Sequence, residues 1–204
     1  MNFLVDIVGR LFYVPYRLAA KYSEKKILKI LLQGIAIDKS SKILPTARIR
    51  NYQRDKSKIR VGAFTMLAGE LMIFKHGGKI AIGNDCFIGE NTRIWSAKEI
   101  NIGNRVLISH NVNIHDQNSH PLDSAERHRD YQLIFENGLP GNVPLNEKEV
   151  IIEDDVWIGF NSSILKGVRI GKGAIIGANT VITSDVPPYS VIVGNPPKII
   201  KQTT

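Results

Sequence analysis

Residues 150–186 read VIIEDDVWIGFNSSILKGVRIGKGAIIGANTVITSDV, and a single period runs through them. Ile152, Ile158, Ile164, Ile170, Ile176 and Ile182 recur every six residues, and the residues four places later are Val156, Ser162, Val168, Ala174, Thr180 and Val186. An amphipathic helix repeats near 3.6 residues and a half-buried strand every two, so neither explains a sustained period of six. The pattern predicts an all-β solenoid, in which each large aliphatic points inward from a flat face and the small residue packs inward beside a corner. Glycine follows the aliphatic at Gly159, Gly171 and Gly177, where a turn between short strands can use its conformational freedom.

The same phase continues upstream as Val61, Leu67, Ile73, then Ile82, Ile88, Ile94, then Ile102, Ile108, Ile114. Three such units make one triangular coil. Coil to coil, Val61 to Ile82 is 21 residues, Ile82 to Ile102 is 20, Ile102 to Ile152 is 50 and Ile152 to Ile170 is 18. The excess is loop, and most of it lies in residues 115–149. The organisation expected is an N-terminal segment over 1–34, a β-solenoid over 35–190 with its excursion at 115–149, and a C-terminal tail over 191–204.

Residues 1–34 stand apart from the repeat. Phe3, Ile7 and Leu11, then Ile27, Leu28, Leu31 and Leu32, have helical spacing interrupted near Pro15 and closed by Gly34, which predicts two short amphipathic helices. Asp6, Arg10, Pro15 and Arg17 break the apolar stretch, excluding both a secretory h-region and a membrane span of about 18–20 residues. Six basic residues against Asp6 and Glu24 supply half of the chain's net charge of +8. A cap on the end of the solenoid is one reading, and peripheral contact with an anionic membrane surface is the other. No helix-turn-helix, zinc finger or aromatic-basic RNA signature accompanies the charge, so no nucleic-acid partner is expected. Cys86 is the only cysteine, which excludes an intrachain disulfide and points to a reducing compartment, the cytoplasm by default. It lies four residues after Ile82, an inward packing position.

Long loops on rigid scaffolds are where function tends to sit. The excursion opens His115-Asp116-Gln117-Asn118-Ser119-His120-Pro121-Leu122-Asp123. Transfer of an acyl group to an alcohol needs a base near neutral pH, and histidine is the usual choice. Histidines also stand at 110, 115 and 120, a spacing that leaves a three-imidazole metal site open as an alternative.

These motifs resemble the hexapeptide-repeat acyltransferase superfamily, and the His-Pro segment resembles the sugar O-acetyltransferases of the galactoside, maltose and surface-polysaccharide type. The resemblance implies left-handed coils, a homotrimer, acetyl-coenzyme A as acyl donor without a metal, and a carbohydrate hydroxyl as acceptor. It places the general base on His120, although one more residue separates Ile114 from the histidine than in the galactoside and maltose enzymes. By the same resemblance Asn91 would bind the acceptor, with His115 and Asp116 beside it, and Trp157 would cover the reacting centre. Gly159, Ala178, Thr183, Ser184, Lys198 and Lys201 would contact the cofactor, with serine at 184 where the family often has lysine. N-acetylation of an amino sugar, a zinc-dependent hydratase like the γ-class carbonic anhydrases, and a non-catalytic assembly role are the alternatives.

Overall fold

A computed structural model describes residues 26, 28–138 and 145–203. Three parallel sheets form the walls of a left-handed β-helix. The first sheet stacks Ala36–Ile37, Ile59–Val61, Ile80–Ile82, Ile100–Ile102, Val150–Ile152 and Arg169–Ile170 in that order. The second runs from Lys42–Ile43 through Met66–Leu67, Phe87–Ile88, Leu107–Ile108, Trp157–Ile158 and Ile175–Ile176 to Ser190–Val193 and Lys198–Gln202. The third contains Arg48–Asn51, Glu70–Ile73, Arg93–Ser96, Asn113–His115, Ser163–Ile164 and Val181–Ile182.

The repeat aliphatics pair coil to coil in the register that their spacing predicts: Val61 with Ile82, Ile82 with Ile102, Ile102 with Ile152, and Ile152 with Ile170. Ile88, Ile94, Ile108, Ile114, Ile158, Ile164 and Ile176 are fully buried, and the small positions Val156, Ser162, Ala174 and Thr180 are buried with them. Cys86 occupies such a position, and burial raises its thiol pKa. Full burial of each aliphatic contributes roughly 1.5–3 kcal/mol, which is how a chain of two- to four-residue strands stays folded.

Corners are built from left-handed backbone. Asn91, Asn111, Asn161 and Asn179 stack at one corner with φ between 57° and 58°, and Asp85, Arg105, Asp155 and Gly173 stack at another. Asparagine and aspartate tolerate this region better than other side-chain-bearing residues, because their short polar groups can bond locally. The second coil departs from the six-residue count. Leu71, not Ile73, pairs with Ile94, because the corner after Leu67 is two residues shorter and lacks the left-handed residue. Both side chains face inward all the same, since they are two apart on one strand.

Two other segments differ from expectation. The excursion contains a helix, Ser124–Asn137, capped by the Asp123 carboxylate on the Ala125 and Glu126 amides and closed at Gly138 with φ 79°. Residues expected as a tail instead add an antiparallel strand, Lys198–Gln202, against Ser190–Val193. The helices expected over residues 1–34 lie largely outside the described residues; positions 28–31 are helical and Gly34 packs close to Ile49.

Candidate active site

The excursion leaves the fourth coil at the corner after His115, and its neck is laced shut. The Asn118 amide donates to the Leu145 carbonyl and the Lys148 amide to the Asp116 carbonyl. Asp116 itself is fully buried: its carboxylate accepts from Ser96 Oγ at 2.6 Å, Ala97 N at 2.8 Å and Lys98 N at 2.9 Å. Burial raises its pKa while those donors oppose the rise. With its oxygens bonded to the preceding coil, Asp116 ties down the corner.

His115 is also turned into the protein. Its ring stacks on Trp95 at 5.0 Å between centroids, and its Nε2 is buried without a partner among the described residues. Burial, with Arg93 nearby, pulls its pKa down to about 4, so the imidazole is neutral near pH 7. Trp95 in turn donates from Nε1 to Glu70.

His120 stands differently. Its Nδ1 lies 2.8 Å from Asp130 Oδ2, and Asp130 is 4% exposed whereas the His120 side chain is 48% exposed. An ionised carboxylate only accepts hydrogen bonds, so this contact fixes the neutral ring as the Nδ1–H tautomer. Nε2 then carries the lone pair and faces away from the carboxylate, the arrangement of a general base. Asp130 is the only buried residue of the helix, and Arg127 from the same helix donates to the Pro121 and Leu122 carbonyls. The helix therefore holds the His-Pro segment at two points. Sequence reading missed Asp130. The signals were present: Asp123 with Glu126 three residues on is a helix start, Gly138 is a stop, and the helix between them turns position 130 back toward 120.

The three histidines at five-residue spacing have separate surroundings, with His110 stacked on Phe160, His115 stacked on Trp95 and His120 hydrogen-bonded to Asp130. Among the described residues no group of three or more His, Cys, Asp or Glu is arranged to hold a metal ion.

The remaining expected contacts are spread over the faces of the coil. Asn91, in left-handed backbone, lines a small polar notch with Arg48, Glu70 and Arg93, opened by the short corner of the second coil. Trp157 is half exposed on the second sheet, in an outward row with Met66, Phe87 and Leu107, each at least 36% exposed. A Cβ at Gly159 would come within 2.6 Å of the Ala178 amide nitrogen, so Gly159 and Ala178 mark a place where adjacent coils approach closely. Thr183 and Ser184 are exposed beyond the last strand of the third sheet, and Lys198 and Lys201 are exposed on the added strand of the second. Trp157 and Thr183 thus belong to different walls of one coil stack.

Two family models match the chain: bacterial transferase hexapeptide (six repeats) over residues 149–184, and hexapeptide repeat of succinyl-transferase over residues 79–115. A Schizosaccharomyces pombe protein provisionally classed as an acetyltransferase is 35% identical over 64% of this chain and 56% of its own length. A 2,3,4,5-tetrahydropyridine-2,6-dicarboxylate N-acetyltransferase of Staphylococcus aureus is 54% identical over 30% of this chain and 26% of its own. The chain therefore matches between about a quarter and a little over half the length of these curated relatives. Among solved structures, a maltose O-acetyltransferase from Clostridium difficile is 26% identical over 88% of this chain and 74% of its own, with a TM-score of 0.55. AntD, an N-acyltransferase from Bacillus cereus solved with dTDP-4-amino-4,6-dideoxyglucose and coenzyme A, covers 88% of this chain and 89% of its own, with a TM-score of 0.65. At 21% identity that likeness is one of fold.

Proposed function

We propose that the chain is an acyltransferase of the hexapeptide-repeat superfamily, whose models match two stretches of it, and that it moves an acyl group from a coenzyme A thioester to a sugar or nucleotide-sugar acceptor, with His120 as general base. The observation that carries this reading is the buried Asp130 carboxylate on Nδ1 of a half-exposed His120, which leaves Nε2 free to take a proton. Nε2 removes the proton from the attacking acceptor, whose heteroatom bonds to the thioester carbonyl carbon. A backbone N–H of the coil supports the oxyanion. As the C–S bond breaks, the same nitrogen returns the proton to the departing thiolate, so no covalent acyl-enzyme is required. Acetyl is the donor group this reading favours, and no metal enters it.

An amine on the sugar is the better-supported nucleophile, because N-acyltransferases outnumber O-acyltransferases among the similar proteins. The similar proteins thus support the amino-sugar alternative better than the hydroxyl expected first from sequence. Hydroxyl transfer is the second reading, favoured by the His-Pro segment and by likeness to the maltose O-acetyltransferase. Incubation with acetyl-coenzyme A and matched amino and hydroxy sugar nucleotides, followed by thiol release, separates the two. Hydroxylamine then cleaves an ester product and spares an amide. His120→Ala lowers turnover by about 10²–10⁴-fold or more while coenzyme A still binds; unchanged turnover overturns the assignment.

The cofactor contacts expected at Trp157, Gly159, Ala178, Thr183, Ser184, Lys198 and Lys201 lie on separate walls, which fits an arm of coenzyme A running between two copies. A homotrimer is the assembly proposed, supported by the exposed apolar row of Met66, Phe87, Leu107 and Trp157.

A further inference from the structure

Charge is unequally shared along the chain. Residues 1–62 hold 14 of the 27 lysines and arginines against four of the 19 acidic residues, a balance of +10; residues 63–204 hold 13 against 15, a balance of −2. The fold turns this asymmetry into a spatial one. Strands 36–37, 42–43 and 48–51 stand at the same end of the three sheets. Lys39, Lys42, Arg48, Arg54, Lys56 and Arg60 are all exposed there, with members on or beside each of the three walls.

Farther along the rod, among the described residues, five of the 13 basic side chains meet a carboxylate: Arg105 meets Asp154 and Asp155, Arg169 meets Glu153, Lys79 meets Glu99, Lys172 meets Asp155 and Arg129 meets Glu126. At the N-terminal end, among the described residues, only Arg50 meets a carboxylate, Glu70 at 3.4 Å. Leu28, Ile30, Leu32 and Tyr52 are exposed close by in sequence and coil. Ile37, Ile43 and Ile49, which face inward from the first coil, are only partly buried.

Unmatched positive charge selects a polyanionic partner. A ring of it around the end of a rod, with apolar side chains beside it, is complementary to a plane rather than to a strand lying in a groove. Coils stack about 4.8 Å apart, so the basic residues of the first two coils lie within about 10 Å of the end, comparable with a Debye length of about 8 Å. Every member of the ring therefore senses a charged surface on which that end rests. We propose that the N-terminal end of the solenoid docks end-on against an anionic lipid bilayer. His120 leaves the fourth coil, about 15 Å from the first at that spacing, within reach of an acceptor displayed at the membrane surface. Docking does not depend on acyl transfer, so each can fail without the other.

Sedimentation of the full chain with phosphatidylcholine vesicles, and with vesicles that also contain phosphatidylglycerol, tests this. Binding is expected only to the mixed vesicles, with release in molar salt. Reversing four charges together, Lys39→Glu, Lys42→Glu, Lys56→Glu and Arg60→Glu, weakens it at least about tenfold, while thermal melting and coenzyme A binding stay as in the parent. Equal binding to neutral vesicles, parent-like binding by the four-residue variant, or capture by heparin without capture by vesicles overturns the proposal.

Discussion

Two histidines five residues apart are put to opposite uses. His115 is held neutral inside the protein and His120 is presented with its far nitrogen open. Because folding lowers the His115 pKa from 6.5 to about 4, the unfolded chain binds more protons between those values, and stability falls as pH drops through that window. The full loss is on the order of 3 kcal/mol at 1.36 kcal/mol per unit. Asp116, whose pKa burial raises, acts the other way, since the folded state then holds its proton above the unfolded pKa. Denaturant titrations of the parent and His115→Gln at pH 7 and pH 4.5 isolate the histidine: the difference between the two proteins narrows at the lower pH. At Asp130 the expectation concerns rate. Asp130→Asn removes the carboxylate that fixes the His120 tautomer, lowering kcat by about 10²–10⁴-fold with little change in coenzyme A affinity. Asp130→Glu recovers part of it, which a merely structural contact would not do.

At the scale of elements, regular parts were legible and the interruption was only partly so. Six-residue spacing places the inward aliphatics from Ile82 to Ile94, Ile102 to Ile114 and Ile152 to Ile182, because a solenoid wall admits one side-chain size at each position. The short corner after Leu67 escapes that count, since two missing residues leave side-chain parity intact and shift only the partner, Leu71 for Ile73. The excursion helix is harder to read: its apolar residues Tyr131, Leu133 and Phe135 are exposed, so it lacks the buried stripe that marks a helix in sequence. Its caps were the remaining sign, and with them Asp130. The surroundings of Asp116 were hidden for a related reason, because nothing in a linear sequence shows that donors from residues 96–98 reach its oxygens. A consequence is that the helix contributes more to activity than to folding. Replacing residues 121–138 with a glycine-serine linker is expected to abolish transfer while leaving the coil's circular-dichroism melting cooperative and close to the parent's. Corners behave oppositely: Asn161→Val, at φ 58°, costs about 1–2 kcal/mol in stability, whereas Asn161→Gly is near neutral.

For the whole molecule, the open apolar row on the second sheet predicts assembly. Leu107→Glu places a charge in the middle of that row and is expected to give monomers by light scattering, with unchanged secondary structure and lost turnover. Coenzyme A should raise Tm in proportion to the logarithm of its concentration, with about 2.7 kcal/mol of added stability at a hundredfold excess over Kd. The single long interruption also bears on the order of folding. Most strand pairings join residues one coil apart, 16 to 24 positions, so the parallel walls form largely from near neighbours in sequence. The step from the fourth coil to the fifth spans 50 on all three walls, as from Ile102 to Ile152, and closing that loop costs about 0.8 kcal/mol more than closing one of 20. So small a penalty leaves the two stretches of coil on either side free to nucleate independently and zip together late. In a refolding experiment, amides of 150–182 and of 59–102 would then gain hydrogen-exchange protection in separate phases, and the base on His120 would be set in place only when the two meet.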